Sequence, residues 1–182
     1  MSPTRICPVA AIFAAAALAG TAPGIGNFER VDDHVLRGAQ PTAEGILYLS
    51  KIGVKRVLDL RGEGGRGKME EKQVTAAGMK YIRIPMSGKN PPTAEQIVKA
   101  LDLLQDAADG PIFVHCMRGA DRTGTVIAAY HIEHDRWDNT KALQDAKAHG
   151  MSPFQMPRMR YIRAYKARPN QVDGAAPATS GK

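Results

Sequence analysis

The chain predicts an α/β fold, a single domain with a central, largely parallel sheet flanked by helices. Three observations carry that expectation. Short apolar segments rich in β-branched residues alternate with longer segments of helical periodicity, the order that joins parallel strands through crossover helices. Glycine and proline punctuate the junctions, as at Gly53, Gly78, Gly110-Pro111 and Gly150. The length, 182 residues, suits one domain and is enough chain for a sizeable core.

The elements follow in order. Phe28 to Val31 and Val35-Leu36 read as two short strands joined at Asp32-Asp33. Thr42 is placed to cap a helix whose apolar face holds Ile46, Leu47, Leu49 and Ile52, with Gly53 as its stop. Val54 to Leu60 is a strand, Lys68 to Ala77 a short helix, and Met79 to Ile84 a further strand. Thr93-Ala94-Glu95-Gln96 has the spacing of a capping box and opens a helix to about Ala108. Ile112-Phe113-Val114 is a buried strand, and Thr125 to His134 a helix after a tight loop. Asn139 is the expected cap of a helix to His149, and Met156 to Lys166 forms a last amphipathic one.

The two ends differ from the middle. Arg5 is the only charge in residues 1–22, and Ile6 to Ala19 is an alanine-rich apolar run too short to span a bilayer comfortably. Ala17-Leu18-Ala19 supplies the small residues of a cleavage site, so residues 1–22 read as a secretory signal peptide, with a retained anchor as the alternative. The expected location is secreted or periplasmic, with no stable membrane span after cleavage. Residues 23–168 form the domain, and residues 169–182, rich in Pro, Gly, Ala, Ser and Thr, read as a disordered tail. Cleavage would remove Cys7 and leave Cys116 as the lone thiol, which excludes an internal disulfide and suggests a reactive cysteine. Net charge falls only from +7 to +6, because Arg5 alone is lost. A basic balance suits anionic substrates. The scattered lysines and arginines and the few aromatics do not make a nucleic-acid stripe, so no nucleic-acid partner is expected.

The chemistry concentrates in His115-Cys116-Met117-Arg118-Gly119-Ala120-Asp121-Arg122-Thr123-Gly124, set between a strand and a helix. A loop that curls into a helix N-terminus aims several backbone N–H groups at one point, where the helix dipole adds positive potential. Met117 to Arg122 would form that cradle. Arg122 can close it with a two-pronged contact to phosphate oxygens. Gly119 lets the loop bend inward without a Cβ in the way. The same field favours the Cys116 thiolate as an in-line nucleophile, and Thr123 can offer its hydroxyl to the sulfur. His115 is expected to brace the loop by hydrogen bonding.

With its preceding histidine and following glycine, this Cys-x5-Arg-Thr loop resembles that of the cysteine-dependent tyrosine and dual-specificity phosphatases. Leu36-Arg37-Gly38-Ala39-Gln40-Pro41 and Val57-Leu58-Asp59-Leu60-Arg61 stand in the order in which similar elements precede the loop in bacterial relatives. The likeness runs from about Phe28 to Tyr165. It implies a phosphoric monoester hydrolase that passes through a phosphocysteine and needs neither cofactor nor metal. Its partners would be a phosphorylated protein, or a phosphorylated small molecule or lipid. Arg37, Asp59 and Arg61 are expected in one polar network under the loop.

One departure from the family concerns the general acid. In the common enzymes an aspartate on an upstream loop supplies it, whereas Pro85 to Pro92 holds no Asp or Glu. Asp121, directly before Arg122, resembles the in-loop aspartate of myotubularin-type, Sac-type and some secreted bacterial phosphatases, and is the expected acid. Glu95 is the alternative, as is a structural Asp121 with leaving groups that need no acid.

Three other readings compete. Gly62 to Gly67 meets the G-x-G-x-x-G spacing of dinucleotide loops, but Ile84-Pro85-Met86 lacks the acid such a site requires. A mobile basic loop or a plain solvated one fits better. His131 and His134 lie three apart on a helix, which a metal could use, though a solvated face is expected. A rhodanese-like sulfurtransferase and a phosphate-binding module without turnover remain as alternative functions, the first disfavoured by the step from Cys116 to Arg122-Thr123-Gly124.

Overall fold

In the computed structural model, residues 22–62 and 66–169 are described. The expected signal peptide, most of the expected tail and the middle of the Gly62–Gly67 stretch lie outside them. Among the described residues, five strands form one sheet in the order β1-β2-β5-β3-β4. These are β1 (Glu29–Arg30), β2 (Val35–Ala39), β3 (Arg56–Asp59), β4 (Lys80–Arg83) and β5 (Ile112–Cys116). Only β1 runs antiparallel, against β2, and the other pairings are parallel. The sheet is therefore largely parallel, as the alternation of strand and helix implies.

Six helices cover it: α1 (Ala43–Lys51), α2 (Arg66–Ala76), α3 (Ala94–Gln105), α4 (Asp121–Glu133), α5 (Asn139–Ala148) and α6 (Met156–Ala164). One face of the sheet packs Val35, Leu58, Ile112 and Val114 against Leu101, Leu104, Val126 and Ile127 of α3 and α4. The other packs Leu36, Val57 and Phe113 against Ile46, Leu49 and Val74 of α1 and α2. A third cluster, with Ala128, Ile132, Leu143, Ala146, Met159 and Ile162, seats α5 and α6 on α4.

Strand parity then assigns side chains to faces. On β5, Val114 and Cys116 face α3 and α4, while Phe113 and His115 face α1 and α2. Leu36 and Val57 both register with Phe113, so Asp59 falls on the α2 face beside its partner His115. Arg37 falls on the opposite face, toward α4 and α5.

The helix caps mostly form as expected. The Thr42 side chain accepts from Gly45 N, and Thr93 with Gln96 makes the full capping box. Two helices depart from expectation. α5 is capped by Asp138, whose carboxylate accepts from Thr140 N and Lys141 N. Asn139 instead donates to Ile162 O and Tyr165 O at 2.7 and 2.8 Å, joining α5 to the end of α6. α4 begins at Asp121, four residues before Thr125, because its first turn is polar and serves the loop. His131 is buried rather than solvated, paired with Asp135 and stacked on Trp137.

Candidate active site

Cys116 ends β5 and stands at the mouth of the loop that leads into α4, only 2% exposed. The N-cap of α4 is Ala120, which offers no side-chain acceptor. That leaves the first-turn N–H groups facing outward for an anion. Burial raises the Cys116 pKa, but the hydroxyl and backbone N–H of Thr123, the charge of Arg122 and the N–H of Arg118 outweigh it. The net effect holds the thiol below its ordinary value. The Thr123 hydroxyl is fully buried and has no conventional hydrogen-bond partner among the described residues. It is thus left for the sulfur.

The loop is held from behind. Gly119 has φ of 69°, in the left-handed region that favours glycine. Its carbonyl accepts from Asn27 Nδ2 at 3.1 Å and from Arg37 Nη2 at 3.4 Å. Asn27 Nδ2 also reaches Arg118 O at 3.4 Å and His149 O at 2.9 Å. Arg37 is fully buried and pairs with Asp145 at 3.2 Å. These contacts turn the loop carbonyls away from the cradle, which leaves its N–H groups to face inward.

A separate network lies on the other side of the sheet. His115 Nε2 stands 2.7 Å from Glu70 Oε1 of α2, and Glu70 Oε2 lies 2.8 Å from Arg61 Nη2. Arg61 grips Asp59 with two prongs, Nε to Oδ1 at 2.8 Å and Nη2 to Oδ2 at 2.7 Å, and Tyr81 donates to Asp59 at 2.6 Å. Burial raises the Asp59 pKa, but the Arg61 hydrogen bonds, with His115 and Tyr81, hold it below the ordinary carboxylate range. The expected single network of Arg37, Asp59 and Arg61 is thus two networks, divided by strand parity. His115 braces the loop through Glu70, and its Nδ1 lies 3.2 Å from Cys116 O.

Asp59, Glu70 and His115 are the cluster with metal-ligand spacing among the described residues. The Arg61 guanidinium bridges the two carboxylates where a cation would sit, so this donor set does not fit a metal.

Arg122 Nη1 donates to Leu60 O at 3.5 Å, anchored on the strand end beside the loop. Asp121, the expected acid, opens α4 with both carboxylate oxygens engaged. Oδ1 accepts from Ser152 N at 2.8 Å, and Oδ2 from Arg118 Nη2 at 2.6 Å. Glu95 faces solvent from the first turn of α3, in contact with Lys99.

The residues of this arrangement that escaped sequence reasoning include Asn27, Glu70, Ser152 and Arg158. Arg158, on α6, is fully buried and donates from Nη2 to Ser87 O and from Nε to Gln155 Oε1 at 3.1 Å. It thereby ties α6 to the Pro85–Pro92 stretch. Gln155 Nε2 adds a bond to Gly88 O at 3.2 Å. A buried arginine on an amphipathic helix carries no sequence signal that separates it from a surface one.

Comparison with known proteins agrees with this geometry. A family model described as DSP-PTPase phosphatase fused to NAD+ Kinase matches residues 21–164. The dual specificity protein phosphatase TpbA of Pseudomonas aeruginosa is 29% identical over 149 residues, covering 81% of this chain and 64% of that protein. The chain thus spans somewhat less than two thirds of that relative's length. The crystal structure of P. aeruginosa TpbA superposes with a TM-score of 0.68 at 25% identity, over 81% of this chain and 89% of that one. The core catalytic domain of the PP-IP phosphatase SIW14 from S. cerevisiae gives 0.69 at 26% identity, over 77% and 85%. Inositol diphosphatase DSP5 of Arabidopsis thaliana is 30% identical over 105 residues, 56% of this chain and 51% of that protein.

Proposed function

Because the chain belongs to the DSP-PTPase family whose model matches residues 21–164, we propose that it is a cysteine-dependent phosphatase, acting as a protein tyrosine or dual-specificity enzyme. The observation that carries this is the Cys116 thiol, held below its ordinary pKa despite burial by Thr123, Arg122 and the Arg118 N–H, at the start of a loop that leads into the N-terminus of α4. A buried thiolate is costly unless it serves chemistry.

The mechanism has two steps. Cys116 attacks phosphorus while the Met117–Arg122 amides and the Arg122 guanidinium hold the equatorial oxygens. The P–O bond to the leaving group breaks, leaving a phosphocysteine. Water then attacks that phosphorus, the S–P bond breaks, and Thr123 stabilises the departing thiolate. Asp121 is the candidate proton carrier. With both its oxygens engaged, donation requires the Arg118 contact to open first. Arg118 is exposed on its other side, so it can turn toward a phosphate oxygen as the substrate arrives.

That requirement favours leaving groups that depart as stable anions, such as a phenolate or a phosphate. A second reading, a phosphoinositide or inositol phosphate phosphatase, is in line with the relatives that carry inositol diphosphatase names; it meets this requirement where a diphosphate group leaves as phosphate, and not where the leaving group is an inositol alkoxide. A phosphate-binding module without turnover would have no need of the lowered thiol. No helix among the described residues is long and apolar enough to cross a membrane. A secreted or periplasmic location, proposed from the apolar run Ile6 to Ala19, is tested by whether the exported chain begins near Ala19 or Ala22.

The deciding experiment is hydrolysis of p-nitrophenyl phosphate under reducing conditions. Turnover by the wild type and its loss in Cys116→Ser support the phosphatase, while a folded, reduced and inert wild type refutes it. Asp121→Asn compared on p-nitrophenyl phosphate and on an alkyl phosphate then isolates the proton carrier, since only the poor leaving group depends on it.

A further inference from the structure

Four arginines among the described residues are buried: Arg37, Arg56, Arg61 and Arg158. Three meet carboxylates, Arg37 with Asp145 at 3.2 Å, Arg56 with Asp106 at 3.6 Å and Arg61 with Asp59 at 2.7 Å. Arg158 is the exception. Among the described residues no carboxylate lies within ion-pair distance of it; its Nη1, like one or more side-chain nitrogens of each of the other three, has no hydrogen-bond partner. A buried guanidinium with no carboxylate in direct contact is costly, and folded proteins avoid it unless something else supplies the charge.

Its location says what that is. Arg158 lies in the first turn of α6, and the connection that leads into α6 reaches the phosphate loop, where Ser152 N donates to Asp121 Oδ1. Burial lowers the Arg158 pKa and the charge of Arg122 lowers it further, against support from Asp121 and the Cys116 sulfur. The two guanidiniums thus repel each other. They are anchored on neighbouring carbonyls, Leu60 O and Ser87 O, and the backbone joins these anchors, because Met86 N donates to Leu60 O at 3.3 Å. Arg158 is itself fully buried, so an anion reaches its Nη1 only as the side chains around it give way.

We propose that Arg158 forms a second anion-binding position beside the phosphate cradle, for a substrate carrying another phosphate next to the one transferred. This rests on the reading of the Cys116 loop as a phosphate site. The transferred group already has Arg122 and the loop amides, so a second guanidinium anchored separately matches a second set of phosphate oxygens. Two phosphates also bring Arg158 the direct anionic contact that no carboxylate among the described residues gives it.

The test is calorimetric titration of the full chain carrying Cys116→Ser with inorganic pyrophosphate and, separately, orthophosphate. That background binds without turnover, so the result is independent of whether the wild type hydrolyses p-nitrophenyl phosphate. Pyrophosphate is expected to bind at least ~10-fold more tightly than orthophosphate, the worth of one more charge-assisted contact. Adding Arg158→Met should collapse that ratio by about the same factor. Arg158→Lys keeps the charge but cannot hold Ser87, Gln155 and an anion at once, so it should also reduce the ratio, and it carries the test if the methionine variant does not fold. Equal affinity for the two anions, or a ratio unmoved in the folded variant, overturns the proposal. Failure to bind either anion overturns the phosphate site as well.

Discussion

Gly119 and Gly38 press directly against each other: a Cβ on Gly119 would lie 2.4 Å from the Gly38 carbonyl carbon and 2.6 Å from Ala39 N. This contact lets the loop fold back onto the end of β2, and it coincides with the positive φ of Gly119. Gly119→Ala meets both obstacles, about 1–2 kcal/mol for the left-handed backbone and a clash with backbone that cannot swing aside. The loop must shift, carrying the Arg118 amide away from the sulfur. We expect hydrolysis of p-nitrophenyl phosphate to fall about 100-fold or more, with a thermal midpoint lowered by several degrees. A variant of native activity would mean that the loop tolerates displacement.

Thr123→Val keeps the shape of the side chain and removes the donor that faces Cys116. The thiol pKa should then rise toward the ordinary cysteine value. The measurement is the pH dependence of Cys116 alkylation by iodoacetamide, whose midpoint should move upward in the variant. The sign of the linkage follows from the lowered folded-state value. The thiolate's contribution to stability is fully present above the unfolded-state pKa and is lost as pH falls through the folded-state one. The wild type should therefore gain stability relative to Thr123→Val as pH rises across that window. An unmoved midpoint would place the sulfur's support on Arg122 and the backbone alone.

The cradle was legible in the sequence because nucleophile, glycine, hydroxyl and arginine stand within a few consecutive residues between a strand and a helix. The alternation of elements likewise foretold the largely parallel sheet. What supports the cradle was not legible, for a physical reason. Strand parity assigns Arg37 to one face and Asp59 to the other only once the register with β5 is known, and a one-residue slip would exchange them. Glu70 lies on a helix of mostly polar residues, and only its meeting with His115 and Arg61 explains its burial. Arg158 lies 42 positions beyond Cys116, and its neighbours come from α4 and the Pro85–Pro92 stretch. The cap of α5 was misplaced by one residue because Asp138 and Asn139 are both good caps, and only the end of α6 gives Asn139 other partners.

Arg61 offers a test of the network beneath His115. Its guanidinium contacts Asp59 and Glu70, 0% and 3% exposed at their side chains. Arg61→Met would leave two buried carboxylates without their cation. Breaking a buried pair by removing one partner costs about 3–5 kcal/mol, and urea unfolding should show a loss of that order. Arg61→Lys, retaining charge but not the two-pronged contact, should fall between. A loss below 1 kcal/mol in the methionine variant would mean that the carboxylates are relieved by water or by Arg83.

Asn27 separates loop geometry from loop chemistry. Its carboxamide touches the carbonyls of Arg118, Gly119 and His149, yet it has no place in the reaction itself. It holds φ of 52°, so Asn27→Ala would mix backbone strain with the loss of the side chain. Asn27→Gly keeps the backbone conformation and deletes only the hydrogen bonds. The loop carbonyls then lose one of the donors that turn them outward, and the opposing amides lose alignment with the phosphate oxygens. We expect kcat/KM for p-nitrophenyl phosphate to fall about 10–100-fold, while the alkylation midpoint of Cys116 moves little. Arg37 still reaches Gly119 O, so the fold should survive with a modest drop in thermal midpoint. Native kcat/KM in Asn27→Gly would show that Arg37 alone suffices to set the loop.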